Sequence, residues 1–211
     1  MAGAPFFNRR AKAMRVMTHF LLWCFGLRGA ETQTTEAERE CLVRHASGKG
    51  RLVEVGVWHG VTTCQLRKAM APDGVLLGID PYPIGRLGFS AQRCIARREV
   101  ARIRNGSMRW VRLTGVQAAR EYASSGDKLV DFVFIDGDHS LEGLSGDWHA
   151  WSPLVAPDGI VALHDSCSSP TRQIDGAGSA IFTREVIVSD PRFRLLETVD
   201  TLTILRRCGG V

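Results

Sequence analysis

From residue 35 onward, short apolar runs alternate with longer stretches in which apolar and polar positions recur at helical spacing. Leu52 to Val57, Val75 to Ile79, Met108 to Leu113, Val130 to Ile135 and Ile160 to Leu163 are the apolar runs. Turn residues bound them: Ser47-Gly48-Lys49-Gly50, Pro72-Asp73-Gly74, Ser124-Ser125-Gly126-Asp127 and Pro157-Asp158-Gly159. Runs of this kind predict buried strands. Between them, residues 61–71, 87–104, 116–124 and 141–154 read as helices. Thr35-Glu36-Ala37-Glu38 fits a capping box, so a further helix is expected to start there. Strands alternating with helices imply a parallel, doubly wound α/β sheet of the Rossmann-like kind. Phe193 to Thr198 and Thr201 to Arg206 flank Val199-Asp200 as a hairpin, which finishes the sheet with an antiparallel C-terminal strand.

The first 30 residues follow another pattern. Arg9, Arg10, Lys12, Arg15 and Arg28 stand there with no acid before Glu31, around an apolar stretch from Val16 to Leu27. That stretch falls short of the about 20 apolar residues a bilayer span requires. Arg28 also interrupts any small-x-small cleavage site. The expectation is an N-terminal helical extension, residues 1–32, joined to one domain, residues 33–211. Its apolar face would carry Phe20, Leu21, Trp23, Cys24 and Leu27, packed on the domain or on a second subunit in a homodimer.

Composition adds little to this and excludes much. The chain has 211 residues, 45% hydrophobic and 23% charged, ordinary globular usage that argues against disorder and coiled coil. Net charge is +5, and the tail accounts for the surplus, so nucleic acid is not expected as a partner. The arginines of the 93–104 segment read as a solvated face. Six cysteines form no CxxC pair, which points to free thiols in a cytoplasmic, reducing setting, and no membrane partner is expected because the N-terminal apolar stretch is too short to span one.

Acids gather where an α/β sheet binds ligands, beyond the carboxyl ends of its strands. Glu54 lies in the first strand, Asp80 ends the second, Asp136 and Asp138 follow the fourth, and His164-Asp165 follow the fifth. Like charges at one edge destabilise a fold unless a ligand or cation compensates. Gly56 and Gly60 are four apart, which is not GxGxxG, but an acid stands 20 residues after Gly60, at Asp80. That placement suits hydrogen bonding to ribose hydroxyls. P-loop and nucleophile-elbow motifs are missing.

The segments Leu52–Thr63, Gly78-Ile79-Asp80-Pro81-Tyr82, Val130–Ser140 and Pro157–Asp165 together resemble class I S-adenosylmethionine-dependent methyltransferases. The nearest branch is the small-molecule group of macrolide-sugar and rhamnosyl O-methyltransferases, which resembles cephalosporin hydroxylase-type proteins. The likeness covers about residues 33–206, and Ile135-Asp136-Gly137-Asp138-His139-Ser140 is its most specific part. Trp58 departs from it, standing where many members of the superfamily have a second glycine.

The resemblance implies roles. Gly56 and Gly60 would admit the methionine portion of the cofactor, with Glu54 accepting from its amino group, and Asp80 would hold the ribose. Thr114 to Val116 would contact adenine. Asp136 would border the cofactor and, with Asp165, bind Mg2+, while His139 would be the general base. The cluster Asp136, Asp138 and Asp165, with Asp175 in the next loop, permits two readings. It binds magnesium to activate a hydroxyl acceptor, or it binds a cationic amino-sugar directly. His164, in place of a carboxylate or amide, leaves the metal ligand set incomplete. The expected activity is methyl transfer to a hydroxyl or amine of a small molecule, foremost a sugar of a natural product. The alternatives are a hydroxylase-type relative and a non-catalytic RNA- or ligand-binding module. Ser166 to Gly178 reads as a lid or as a disordered insertion, Trp148 and Trp151 as core, and Asp138 also as a cap for the helix near Ser140.

Overall fold

A computed structural model describes residues 4–85 and 87–209, with side chains from Met14 onward. Helix α1 (Ala4–Cys24) precedes α2 (Glu36–Ala46), and then strands and helices alternate. They are β1 (Arg51–Val55), α3 (Val61–Ala69), β2 (Val75–Ile79), α4 (Ala91–Val100), β3 (Ser107–Val111), α5 (Gly115–Ser124), β4 (Val130–Ile135), α6 (Leu141–Trp151) and β5 (Val155–Leu163). The chain closes with α7 (Gly178–Phe182), running into one π-helical turn, and the hairpin β6 (Phe193–Val199) and β7 (Leu202–Arg207). The sheet order is β3-β2-β1-β4-β5-β7-β6. β1 to β5 are parallel, and β7 enters antiparallel between β5 and β6. This is the expected α/β architecture.

Period-two alternation explains the buried runs, because successive strand residues face opposite sides of the sheet. Val53, Val55, Val133, Ile135, Val161 and Leu163 pack on one face with Trp148 and Trp151. Leu52, Phe132, Phe134, Ile160 and Ala162 pack on the other with Leu42 and Leu66. Both faces are covered by helices, so neither set can be polar. The two tryptophans are core, as expected.

Four expectations need correction. The helix expected over 87–104 starts at Ala91, because Ser90 caps it by accepting from the Arg93 amide, and it stops at Val100. The Pro157-Asp158-Gly159 turn lies inside β5, as a bulge with Asp158 at φ 60° and a register shift against β4. Leu21, Cys24 and Leu27 of the extension face solvent, whereas His19, Phe20 and Trp23 face the domain. Trp23 Nε1 donates to Glu99 on α4, and Phe20 lies against Phe89. The 166–178 segment is pinned rather than disordered, through a Ser169–Arg172 bridge and an Arg172–Asp165 ion pair. The capping box at Thr35 and Glu38 is present. Among the described residues all six cysteines are free, and no helix is long and apolar enough to cross a membrane.

Candidate active site

The carboxyl ends of β1 to β4 border a cavity of about 1190 Å³. Glu54, Gly56, Asp80, Val116, Asp136 and His139 all line it, so residues far apart in sequence meet there. The extension adds His19, Glu31 and Thr32 to the lining.

Asp80 organises the loop after β1. Its Oδ2 accepts from the amides of Val57 (3.3 Å) and Trp58 (3.0 Å), and its Oδ1 accepts from Tyr82 (2.8 Å). Burial raises its pKa, and these amides pull the other way. Trp58 adopts φ 48°, the left-handed region in which the superfamily's usual glycine is at ease, and the Tyr82 hydroxyl bonds its carbonyl. Glu54 is 1% exposed, and burial pushes its carboxyl well above the usual range, helped by the charges of Asp136 and Asp80. Its Oε2 has no hydrogen-bond partner among the described residues.

The two glycines owe their identity to packing. A Cβ at Gly56 would sit 2.1 Å from the Asp136 carbonyl oxygen, where β1 and β4 end side by side. Gly60 faces Ala96 and Val100 of α4 and does not line the cavity, contrary to its expected place beside the cofactor.

His59 links loop and extension. Its ring stacks between Trp58 (4.6 Å) and His19 (5.0 Å), and its Nδ1 accepts from the Glu31 amide at 3.1 Å. Burial, then the neighbouring His19, lowers its pKa to about 4, so the ring is neutral.

Behind the cavity lies a charged network. His164 Nδ1 is 2.8 Å from Asp136 Oδ1 and 3.8 Å from Asp165 Oδ1, and its Nε2 is 3.4 Å from Glu38 Oε2. Burial opposes the charge on His164, but Asp136 and Glu38 outweigh it and hold the imidazole up at about 10. Burial also opposes the charge on Glu38, yet His164, the Thr35 amide and Thr201 hold that carboxyl down at about 2. Asp165 is occupied by Arg172, 2.8 Å away on both carboxylate oxygens. Magnesium requires oxygen ligands in near-octahedral array. Here the His164 ring lies against Asp136 and the Arg172 guanidinium holds Asp165, so nitrogen groups of the chain already stand where metal-bound oxygens would be needed, and the donor set does not fit magnesium. Asp165 and Asp175 also lie outside the cavity lining. Asp138 accepts from the Ser140 amide at 2.9 Å, next to the Ser140 cap of α6. None of residues 166–178 lines the cavity, so the expected lid does not reach it here.

His139 stands at the cavity wall, its Nε2 3.6 Å from Asp136 Oδ1 and 3.8 Å from Asp165 Oδ2. Sequence reasoning missed Asp147 and Glu38. Asp147 carried a signal. It shares a helical face with Leu144, Trp148 and Trp151, an acid on an otherwise apolar stripe.

A largely parallel sheet with a ligand cavity at its carboxyl edge, a glycine turn after β1 and an acid at the end of β2 define a Rossmann-like nucleotide-binding fold. The model of the family described as "Methyltransferase domain" matches residues 53–166, and the chain belongs to that family of S-adenosylmethionine-dependent enzymes. No curated protein matches it. Among solved structures it is similar to an O-methyltransferase from Bacillus cereus in complex with S-adenosylhomocysteine. The TM-score there is 0.62 at 16% identity, covering 94% of this chain and 91% of that one. It is similar to the O-methyltransferase TomG from Streptomyces achromogenes, involved in tomaymycin synthesis and solved with S-adenosylmethionine. That TM-score is 0.65 at 17% identity, covering 94% of this chain and 89% of that one. An rRNA methylase from Streptococcus thermophilus gives 0.56 at 9% identity, covering 85% of this chain and 100% of that one. The fold is common to all three.

Proposed function

We propose that this chain transfers the methyl group of S-adenosylmethionine to a hydroxyl or amino group of a small molecule, with a natural-product sugar as the acceptor to test first. The observation that carries the reading is Glu54, a buried carboxyl with an unpartnered oxygen facing a cavity whose other wall bears Asp80. A buried acid without a partner costs free energy, and the ammonium group of the cofactor's methionine portion offsets that cost. Asp80 holds the ribose hydroxyls with the lone pairs its loop amides leave free.

When bound, the cofactor supplies an electrophilic sulfonium methyl, and the chain's own task is alignment and proton removal. His139 would take the proton that the acceptor hydroxyl gives up on methylation. Asp136 and Asp165, each within 4 Å of His139 Nε2, stabilise the resulting imidazolium. No step needs a metal. A second reading, an amine acceptor, draws support from Asp136, Asp138 and Glu142 on the cavity wall, acids that attract a cationic amino-sugar.

Calorimetric titration of S-adenosylhomocysteine tests the cofactor site. Binding that is equal with magnesium and with chelator, and that Asp80→Ala weakens at least about tenfold, is expected. Unchanged affinity in that variant refutes the assignment. His139→Ala then separates the acceptors, because general-base catalysis contributes about 100-fold or more for a hydroxyl and an unprotonated amine does not depend on it. The exposed Met14, Leu21, Phe25 and Leu27 of the extension support a homodimer, which light scattering tests.

A further inference from the structure

His19 of α1 is a buried imidazole with nothing to bond. It is 7% exposed, and neither ring nitrogen has a hydrogen-bond partner among the described residues. Glu31 Oε1 lies 3.1 Å from its Nδ1 but without the alignment a hydrogen bond needs. Bare polar atoms in an interior cost free energy, and native folds satisfy nearly all of them with a protein group, a water or an ion. The ring is held in place by its neighbours on the helix. Trp23 Nε1 donates to Glu99, and Phe20 lies against Phe89, so this stretch of α1 is fixed on the domain.

The surroundings suit a cation. One nitrogen each of His19 and His59 and one carboxylate oxygen of Glu31 lie within 4.8 Å of one another, and all three residues line the cavity. Tetrahedral zinc, with bonds of about 2.0–2.1 Å, sets its ligand atoms about 3.3 Å apart. The His19–Glu31 separation already fits, and the others must close by about 1.5 Å at most. His59 Nδ1 accepts from the Glu31 amide at 3.1 Å, so that nitrogen carries the free lone pair, and an ion there takes over from the amide hydrogen. The main adjustment is in the His19–His59 stack, 5.0 Å between ring centres, which must open for both rings to point at one ion. Arg28 reaches the same Glu31 oxygen at 3.8 Å, but both side chains are exposed, and a surface pair of that kind holds it weakly.

Two imidazoles and a carboxylate suit zinc-like transition ions rather than magnesium or calcium, which take oxygen ligands. We infer that His19, Glu31 and His59 form a Zn2+ site that clamps the N-terminal extension to the loop after β1, with one position left to water from the cavity. The inference stands apart from the methyltransferase reading, because none of the three ligands takes part in the proposed methyl transfer.

The test uses the whole chain, stripped of metal, with Zn2+ and Co2+ as probes. Calorimetry is expected to show one equivalent of Zn2+ bound, undiminished by excess Mg2+. Glu31→Gln changes an exposed side chain and so leaves the fold intact. It is expected to weaken Zn2+ at least as much as loss of an outer-shell partner does, about 10- to 100-fold, and His19→Gln should do the same. The Co2+-loaded protein should show the visible bands of a tetrahedral ion with nitrogen and oxygen ligands and no thiolate charge-transfer band. Zn2+ should also slow proteolysis between residues 24 and 31 in wild type but not in Glu31→Gln. A latch that works by ion pairing alone takes up no Zn2+, and that result overturns the inference. So does uptake that Glu31→Gln leaves unchanged, or uptake that gives no protection from proteolysis. A thiolate band also overturns it, by placing the ion at a cysteine such as that of the Cys41–His45–Glu197 cluster.

Discussion

Gly56→Ala probes the closest approach in the site. The added methyl carbon would lie 2.1 Å from the Asp136 carbonyl oxygen, 2.5 Å from its carbon and 3.0 Å from the Gly137 nitrogen. Neither chain segment moves freely. The Gly56 amide donates to Ile79 at 2.8 Å, and the Asp136 amide donates to Val55 at 2.7 Å. Relief requires a shift of about 1 Å in the ends of β1 and β4, and overpacking of this kind costs about 1–3 kcal/mol. The φ of 92° adds about 1–2 kcal/mol for any residue with a Cβ. Gly48→Ala is the control, because Gly48 has φ 69° and nothing within 4 Å of its missing Cβ, which leaves the conformational cost alone. Urea unfolding should therefore place Gly56→Ala below Gly48→Ala by about 1–3 kcal/mol. In thermal unfolding each kcal/mol corresponds to about 2–4 °C for a chain of this size. Only Gly56→Ala should also weaken S-adenosylhomocysteine binding, because Glu54 and Asp136 flank the displaced backbone. Equal unfolding free energies for the two variants would refute the steric argument.

Glu54→Gln should separate stability from binding. A carboxyl whose folded pKa is raised stabilises the protein only below its unfolded value of 4.5 and progressively less as pH rises toward the folded value. The glutamine variant should thus unfold at higher urea than wild type at pH 7.5 while binding S-adenosylhomocysteine at least about tenfold more weakly; a less stable variant contradicts the burial argument. The His164–Glu38 pair sets a pH window. His164, raised from 6.5 to about 10, contributes in full below 6.5 and progressively less as pH rises toward 10. Glu38, lowered from 4.5 to about 2, contributes above 4.5 and fades as pH falls toward 2. His164→Leu should lose about 3–5 kcal/mol near pH 6, because it leaves carboxylates buried without their cation, and urea midpoints that differ from wild type equally at pH 6 and pH 10 would count against the pair. Trp23→Phe removes the bond to Glu99 and should cost about 1 kcal/mol. Proteolysis should then cut the extension faster, with the domain's own unfolding little changed.

Strands were legible because burial on both faces of a parallel sheet demands unbroken apolar runs such as Val130 to Ile135, and no local effect competes with that demand. Boundaries were less so. Arg93 to Arg104 looks helical throughout, but Ser90 decides where α4 begins through one side-chain hydrogen bond, and the Pro157-Asp158-Gly159 bulge looks like a turn in any window of sequence. At the site, Glu54, Asp80 and Asp136 could be read from strand-end position, and His139 from the family resemblance of its segment. Asp165 could not, because its partner Arg172 comes from a loop whose path is set by tertiary contacts. Gly60 was assigned to the cavity on the strength of its motif, and the helix packed against it is visible only in three dimensions.

Glu38 and the β6–β7 hairpin have a consequence for how the molecule is made. One Glu38 oxygen accepts from the Thr201 amide (2.9 Å) and hydroxyl (2.7 Å), while Asp200 accepts from the Thr35 hydroxyl at 2.6 Å. The first helix of the domain is therefore satisfied by residues 163 positions later, which leave the ribosome well after it. Because β7 sits between β5 and β6, a nascent chain that stops short of it exposes the β5 edge, and the Glu38 carboxylate lacks its hydroxyl and amide donors. An unpaired sheet edge invites pairing with other chains, so the interval between synthesis of β5 and of β7 is the period of greatest aggregation risk, and a chaperone that shields the β5 edge during that interval would raise the yield of folded protein.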